Sequence, residues 1–422
     1  MLPSLTPDME KVLLVGIRLP GVPHREINTS IDELSRLAET VNALVVDTII
    51  QTRQRYDPGH LISKDKAKEI SGIAKANNIR TIIFNKELTP TQQRNLEETI
   101  GAKIIDRTRL ILDIFARRAR TKEGALQVEL AQYTYFLPRI TKQGLWLDGQ
   151  VGGIGTRGPG ERKLEYDRRR IRDHIVKLKN QIDSIRSHRD LQRRRRKASG
   201  IPVIDIIGYT NVGKSTLFNA IIKKNAVYAD DKLFATLDPT IRNLTLPSGK
   251  KILVTDTVGF IRDLPHQLIM AFRATLEEIT SADCLIHLID AISSEHDVQE
   301  KVVFDTISEL GAINVPLIRV YNKCDLLNKR QLKPRILKDD LFISAKTDRG
   351  IDKLLIKIDE MFRTEKTNYT IKIPYAKLNL LPIIHQYSNV TNETYGSRNI
   401  KLHIKTDSVG WHKLQKHLIQ TN

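Results

Sequence analysis

The chain has 422 residues, 40% of them hydrophobic, with a formal net charge of +19 and a pI near 9.7. That is enough chain for two or three domains. No apolar run approaches the roughly eighteen residues of a membrane span, although peripheral association with a surface stays open. The first residues, MLPSLTPDMEKVLLVGI, lack the basic stretch of a secretory signal. The only cysteines are Cys284 and Cys324, with no CxxC pair. This argues against a disulfide scaffold or zinc cluster, and a reducing, cytoplasmic location is expected.

Residues 1–106 alternate short β-branched runs (KVLLVGI, NALVVDTII, RTIIFNK) with stretches of helical spacing (SIDELSRLAETV, KDKAKEISGIAKANN). This pattern predicts a small α/β domain. No glycine fingerprint follows its first strand, so no nucleotide site is expected there. Residues 107–198 differ. RTRLILDIFARRARTKEGALQVELAQYTYFLPRI predicts one long helical run. Beyond a glycine-rich stretch, Leu164, Ile171, Ile175, Leu178, Ile182 and Ile185 form a heptad-like seam. Two long helices joined by a loop of about twenty residues predict an antiparallel hairpin with a glycine-rich tip. The plainer alternative is a connector whose glycines make turns.

The hairpin carries much of the charge. Arg157 to Lys197 contains sixteen Lys or Arg against six Asp or Glu, about half the chain's excess. Such clustering points to a polyanion partner. A solvated helix face is the bland alternative, and an anionic membrane fits worse because the charges alternate in sign. RRRRKASGIP ends the helix and marks a boundary. Residues 199–366 return to strand–helix alternation and predict a doubly wound sheet. Residues 367–422 predict a small α+β domain of order β-α-β-β-α.

The third region carries the chemistry. GYTNVGKST spans Gly208, Tyr209, Thr210, Asn211, Val212, Gly213, Lys214, Ser215 and Thr216. It fits G-x-x-x-x-G-K-[ST], follows the apolar run PVIDII and opens a predicted helix. Backbone N–H groups there would cradle phosphates, Lys214 would reach the β- and γ-phosphates, and Ser215 would bind Mg²⁺. Three short motifs follow, each after a predicted strand. Asp256, Thr257, Val258 and Gly259 place a carboxylate near the metal. Asn322, Lys323, Cys324 and Asp325 place one where it accepts from guanine N1–H and N2–H₂, a donor pair that adenine lacks. Ser344, Ala345 and Lys346 would close over the base. Between the first two lies LFATLDPTIR, where Thr236 and Thr240 compete to complete the Mg²⁺ shell. Phe260 follows Gly259 at a position where a glutamine would orient the attacking water. Phenylalanine cannot, so slow intrinsic hydrolysis is expected unless a partner or another residue positions the water; the bland reading, compatible with this, is that Phe260 merely packs under the switch.

From about Thr52 to Thr364 the chain resembles the HflX family of translational GTPases. The resemblance rests on RGPGERKLEYDRR, GYTNVGKSTLFN, LFATLDPT, DTVGFIRDLPH and the long stretch from Leu88 to Arg139. It implies a P-loop GTPase fold with N-terminal and hairpin domains, GTP/GDP and Mg²⁺ as ligands, and binding to the 50S subunit and its 23S rRNA. It further implies dissociation of 70S ribosomes, with the hairpin tip reaching toward the peptidyl transferase centre. It selects Thr236 as the switch threonine, so Phe234, Ala235, Thr236, Leu237 and Asp238 join the nucleotide site. Lys214, Thr236 and Gly259 form the expected catalytic set, and Ser215 and Thr236 the metal ligands. The family commonly has a hydrophobic residue at the Phe260 position, consistent with ribosome-stimulated hydrolysis.

Two departures stand out. GHLISKDKAKEI, Gly59 to Ile70, lacks the second glycine of the family's turn, and Val212 replaces a common alanine. A monomer is expected. Action in large-subunit assembly is the alternative function. A nucleic-acid binder with a vestigial nucleotide site is opposed by the intact Lys214, Ser215, Asp256 and Asp325.

Overall fold

The computed structural model describes residues 9–140, 159–222, 240–262, 279–327, 340–362 and 367–406, together with 411, 414, 415 and 418. The glycine-rich stretch 141–158 and the Phe234–Asp238 segment lie outside the described residues. The chain divides into two compact units. One is formed by residues up to 194, 203–244 and 252–351, the other by 195–202, 245–251 and 352–422.

The first unit begins with four strands in parallel. β1 (Glu10–Arg18), β2 (Ala43–Thr52), β3 (Thr81–Phe84) and β4 (Lys103–Asp106) lie in the order β2-β1-β3-β4. Val12, Leu13, Leu14 and Val15 of β1 are all buried. Such an unbroken apolar run belongs to a strand covered on both faces. The covers are α1 (His24–Thr40), α2 (Lys64–Ala76) and α3 (Pro90–Ile100). Local chemistry sets their starts. Ser63 accepts the Lys66 N–H, and Thr89 and Gln92 form a reciprocal capping box with Pro90 in the first turn.

The expected single helix from residue 107 is two helices, α4 (Arg107–Arg118) and α5 (Lys122–Phe136). Ala119 is extended (φ −62°, ψ 114°), and the Thr121 hydroxyl accepts the Gly124 N–H at 3.0 Å. The apolar spacing runs through the break, but Thr121 caps a new helix and so restarts it.

α6 (Pro159–Ser199) runs antiparallel to α5. Glu123 meets Arg189 at 2.8 Å, Glu129 meets His174 at 2.9 Å, and Arg168 donates to the Ile140 carbonyl at 2.8 Å. Of the predicted seam, Leu178 and Ile182 are buried and Ile171, Ile175 and Ile185 half-buried. The Leu164 side chain lies outside the described residues.

The second sheet has the order β10-β9-β8-β5-β7-β6. Its strands are β5 (Val203–Gly208), β6 (Thr240–Thr245), β7 (Lys251–Asp256), β8 (Cys284–Asp290), β9 (Leu317–Asn322) and β10 (Leu341–Phe342). The pairs from β10 through β7 are parallel. Strand order reverses beside β5, which places a crevice at its C-terminal end. α7 (Lys214–Ile222) begins there, and α8 (His296–Glu309) follows β8.

The other unit contains α9 (Ile351–Met361), which begins one residue before it, and β11 (Thr367–Pro374), α10 (Leu381–Tyr387), β12 (Asn389–Tyr395) and β13 (Asn399–Thr406). The last three strands form an antiparallel sheet, β11-β13-β12. Ile373, Ile400, Leu402 and Ile404 pack beneath Leu380, Ile384 and Leu414, and Tyr369 stacks on Trp411 at 3.8 Å. Residues 411, 414, 415 and 418 are helical, in keeping with the expected β-α-β-β-α order.

His287, on β8, is buried edge-on against Phe304. Burial, then Arg319 and Lys214, push its pKa down to about 4. The folded ring therefore stays neutral while the unfolded one charges. Its contribution is complete above about pH 6.5 and is lost as pH falls toward 4, up to about 3 kcal/mol. Denaturant unfolding of His287→Leu at pH 7 and pH 5 should show a smaller loss of stability on acidification than the parent. Equal losses would contradict this.

Candidate nucleotide-binding site

The loop from Gly208 to Ser215 turns where β5 ends and α7 begins, and glycine is required at two points. Gly208 has φ +151°, and a Cβ there would lie 2.3 Å from the Leu288 carbonyl oxygen. Gly213 has φ +95°, and a Cβ would lie 2.4 Å from Asn322 Nδ2. Asn211 also takes a left-handed conformation, which asparagine tolerates. The helix start that follows leaves N–H groups facing the crevice.

Lys214 is buried, its ammonium donating to the carbonyls of Tyr209 (2.7 Å) and Gly208 (3.2 Å). Burial lowers its pKa to about 8, partly offset by Asp256. The Ser215 hydroxyl donates to Asp256 Oδ2 at 2.7 Å. This pairs a hydroxyl and a carboxylate at the end of β7, hard oxygen donors of the kind Mg²⁺ takes alongside phosphate and water. Gly259 lies against both: a Cβ there would meet Lys214 Nζ at 2.8 Å and Thr210 Cα at 3.0 Å. Thr257 and Val258 are buried behind it, Thr257 donating to the Ile206 carbonyl at 2.8 Å.

The base-side motifs are stitched to the loop by Asn322. Its Nδ2 donates to the Val212 carbonyl (2.8 Å) and its Oδ1 accepts the Ala345 N–H (2.9 Å). Lys323 donates to the Asn211 carbonyl and to Asp290, both at 2.8 Å. Cys324 is buried and its N–H bonds the Ile343 carbonyl. Ser344 is buried and accepts the Thr347 N–H. Asp325 and Lys346 are exposed. The structure thus joins Thr210, Asn211, Val212, Lys214, Ser215, Asp256, Gly259, Asn322, Lys323 and Ala345 by hydrogen bonds and close approaches. Phe234, Ala235, Thr236, Leu237 and Asp238 lie outside the described segments, while Thr240 opens β6.

Phe260 is buried, and its backbone pairs with the loop. Its N–H donates to the Gly208 carbonyl, and its carbonyl accepts the Thr210 N–H at 2.8 Å. Its ring is packed away rather than offered to a water.

The residues that sequence reasoning missed form a buried polar cluster around Tyr209. The Tyr209 hydroxyl donates to Glu33 Oε1 at 2.5 Å and accepts the Arg262 N–H at 2.8 Å. Arg107 donates to Glu33 Oε2 and to the Arg262 carbonyl, both at 3.0 Å. Arg262 pairs with Glu295 at 2.8 Å, and Thr29 donates to the same carboxylate. α1 and α4 are thereby fastened to the phosphate loop and to the segment after Gly259. Burial, then Glu33, raise the Tyr209 pKa and keep it a donor. A cavity of about 500 Å³ beside the cluster is lined by Thr29, Tyr209, Asn211, Arg262, Glu295 and Lys323 among others.

A doubly wound sheet with this loop, a metal-side carboxylate and an NKxD corner defines a P-loop GTPase. Residues 28–116 match the profile of the GTP-binding GTPase N-terminal family, 118–196 its middle region, and 203–323 that of the 50S ribosome-binding GTPase family. The chain is 46% identical over 399 residues to GTPase HflX of Caldanaerobacter subterraneus subsp. tengcongensis, covering 94% of this chain and 91% of that one. It is 37% identical over 393 residues to GTPase HflX of Escherichia coli, covering 92% of each. A crystal structure of a GTP-binding protein from Sulfolobus solfataricus with GDP covers 84% of this chain and 98% of its own, at 25% identity and a TM-score of 0.45. The chain belongs to the HflX family of GTPases.

The lowered Lys214 pKa predicts a pH dependence of nucleotide binding. The nucleotide-free amine loses its proton through about pH 8, whereas phosphate oxygens need the ammonium, so binding takes up a proton there. GDP affinity should be level below about pH 7.5 and about fourfold weaker at pH 8.5 than at pH 7. Calorimetry in buffers of different ionisation enthalpy should register the proton. Level affinity without proton uptake would contradict the assignment.

Proposed function

We propose that this chain binds the large (50S) ribosomal subunit through its 23S rRNA and separates 70S ribosomes into subunits, with hydrolysis of GTP stimulated by the ribosome. The observation that carries this reading is one chain's pairing of a GTPase site with a long basic helix. Arg169, Arg170, Lys177 and Lys179 are exposed along α6. Exposed cations on one helix suit rRNA phosphates, which hold position without reading sequence. The family description for residues 203–323, a 50S ribosome-binding GTPase, supports the same partner. Among the described residues no helix is long and apolar enough to cross a membrane. We take the protein to act as a cytoplasmic monomer.

In this reading the loop from Gly208 to Ser215 holds the phosphates, and Lys214 leaves its carbonyl partners to reach the β- and γ-phosphates. Asp325 accepts from the guanine edge, with Asn322, Lys323 and Cys324 shaping its corner and Ser344, Ala345 and Lys346 closing over the base. Ser215 and Thr236, backed by Asp256, would hold Mg²⁺, which would supply charge neutralisation at the phosphates. The Gly259 backbone lies where the γ-phosphate would be sensed. Since Phe260 is buried and cannot orient water, the ribosome must complete the arrangement. Domain limits of 1–106, 107–198, 199–366 and 367–422 go with this assignment of tasks.

Sucrose gradients of purified 70S ribosomes with the protein test the reading. GTP or a non-hydrolysable analogue should convert 70S to 50S and 30S, and GDP should not. Intact 70S with the protein on 50S would overturn splitting in favour of large-subunit assembly. Arg168 is a poor probe, since it holds the Ile140 carbonyl. Arg169→Glu with Arg170→Glu should weaken 50S binding tenfold or more and lower its salt slope by about 1 per lost phosphate contact. Unchanged binding would contradict the hairpin's role.

A further inference from the structure

Among the described residues, the three-stranded sheet of the C-terminal unit is covered on one face only. Ile373, Ile400, Leu402 and Ile404 face α10 and residues 411–418. The other face is set by the pleat, which sends alternate residues to opposite sides. Three rungs cross it. Lys372 lies opposite Lys401, which lies opposite Thr394. Thr370, His403 and Asn392 form the second rung, and Asn368, Lys405 and Asn389 the third. Eight of these nine residues are exposed and His403 is half-buried.

None of the nine is acidic, none is Phe, Tyr or Trp, and the one aromatic ring, His403, is half-buried. Residues 367–422 carry seven Lys or Arg against two Asp or Glu. One of the acids, Glu393, falls on the opposite pleat, where it reaches toward His385 on α10. Lys372 directly opposite Lys401 places like charges together, which costs a sheet stability. An arrangement that disfavours the free protein and leaves a face without counter-charge is complementary to an anion.

From this geometry we infer that the uncovered face of the C-terminal sheet binds the sugar–phosphate backbone of double-stranded RNA. The lysines supply charge for phosphates. The interleaved threonines and asparagines supply the short donors and acceptors that contact phosphate and 2′-hydroxyl groups. With no Phe, Tyr or Trp and its single imidazole, His403, half-buried, the face lacks the row of exposed rings by which sheets hold unpaired bases, so a duplex is the occupant rather than a single strand. This surface is separate from α6. It extends the ribosome reading, resting on it only for the source of the duplex.

The test uses the full-length protein and a fluorescent RNA duplex of about 20 base pairs, titrated over a series of salt concentrations. Lys372→Gln, Lys401→Gln and Lys405→Gln are combined, both in the parent and in the Arg169→Glu/Arg170→Glu background. The combined variant should bind the duplex at least tenfold more weakly in both backgrounds. Its slope of log affinity on log salt should fall by about 2 to 3. Intrinsic GTP hydrolysis should match the parent and thermal unfolding should come no earlier than in the parent, since the Lys372–Lys401 repulsion is relieved, which separates lost binding from lost folding. Unchanged duplex affinity and slope would overturn the inference, while leaving the α6 test on 50S subunits to stand or fall alone. Displacement of the duplex by polyglutamate at equal charge concentration, with equal affinity, would also overturn it by making an acidic protein the occupant.

Discussion

The hydroxyl of Tyr209 and the carboxylate of Glu33 are the contact on which the arrangement of the first unit turns. Glu33 is buried on α1, and an ionised carboxylate there is costly unless it is paired and fully hydrogen-bonded. Among the described residues it is satisfied by partners from two other parts of the chain: Arg107 at the start of α4, and Tyr209 in the phosphate loop. Neither the N-terminal sheet nor the nucleotide-binding sheet satisfies this charge by itself. The polar cluster therefore specifies one seating of α1 against the loop, where apolar packing alone would tolerate several.

That seating has consequences for chemistry. The same Tyr209 oxygen that donates to Glu33 accepts from Arg262, three residues beyond Gly259. Phe260 pairs its backbone with Gly208 and Thr210. The loop from Gly208 to Ser215 and the segment after Gly259 are thus joined twice, by backbone and by side chain. Lys214 is drawn onto the loop carbonyls of Gly208 and Tyr209, partners it exchanges for phosphate oxygens in the function proposed above. Asn322 couples the loop to Ala345 in the same way, through its bonds to the Val212 carbonyl and the Ala345 N–H.

Much of this was legible in the residues. The phosphate loop, Asp256, the NKCD corner and Ser344 fall where their spacing implied, because each motif ends a strand and strand ends are visible as apolar runs meeting glycine or asparagine. The capping box at Thr89 and Gln92 announces α3 locally. The break between α4 and α5 was hidden, since helical spacing continues across Ala119 and only the Thr121 cap marks the restart. The cluster around Tyr209 was hidden for a different reason. Glu33 and Arg107 are seventy-four positions apart and Glu33 and Tyr209 one hundred and seventy-six, so no local pattern links them. Nor does the helix pattern mark Glu33, whose neighbours three and four positions away are Thr29, Ser30, Arg36 and Leu37.

The most direct test of this account is a double-mutant cycle on Glu33→Gln and Tyr209→Phe in the full-length protein. It is read by denaturant unfolding and by GDP affinity. The account predicts that the two changes are coupled, with an interaction energy of about 1 to 3 kcal/mol in stability. GDP binding should weaken in each single variant although neither residue needs to touch the nucleotide. Additivity within about 0.5 kcal/mol, with GDP affinity unchanged in both singles, would show that the Glu33–Tyr209 contact does not hold the phosphate loop in place.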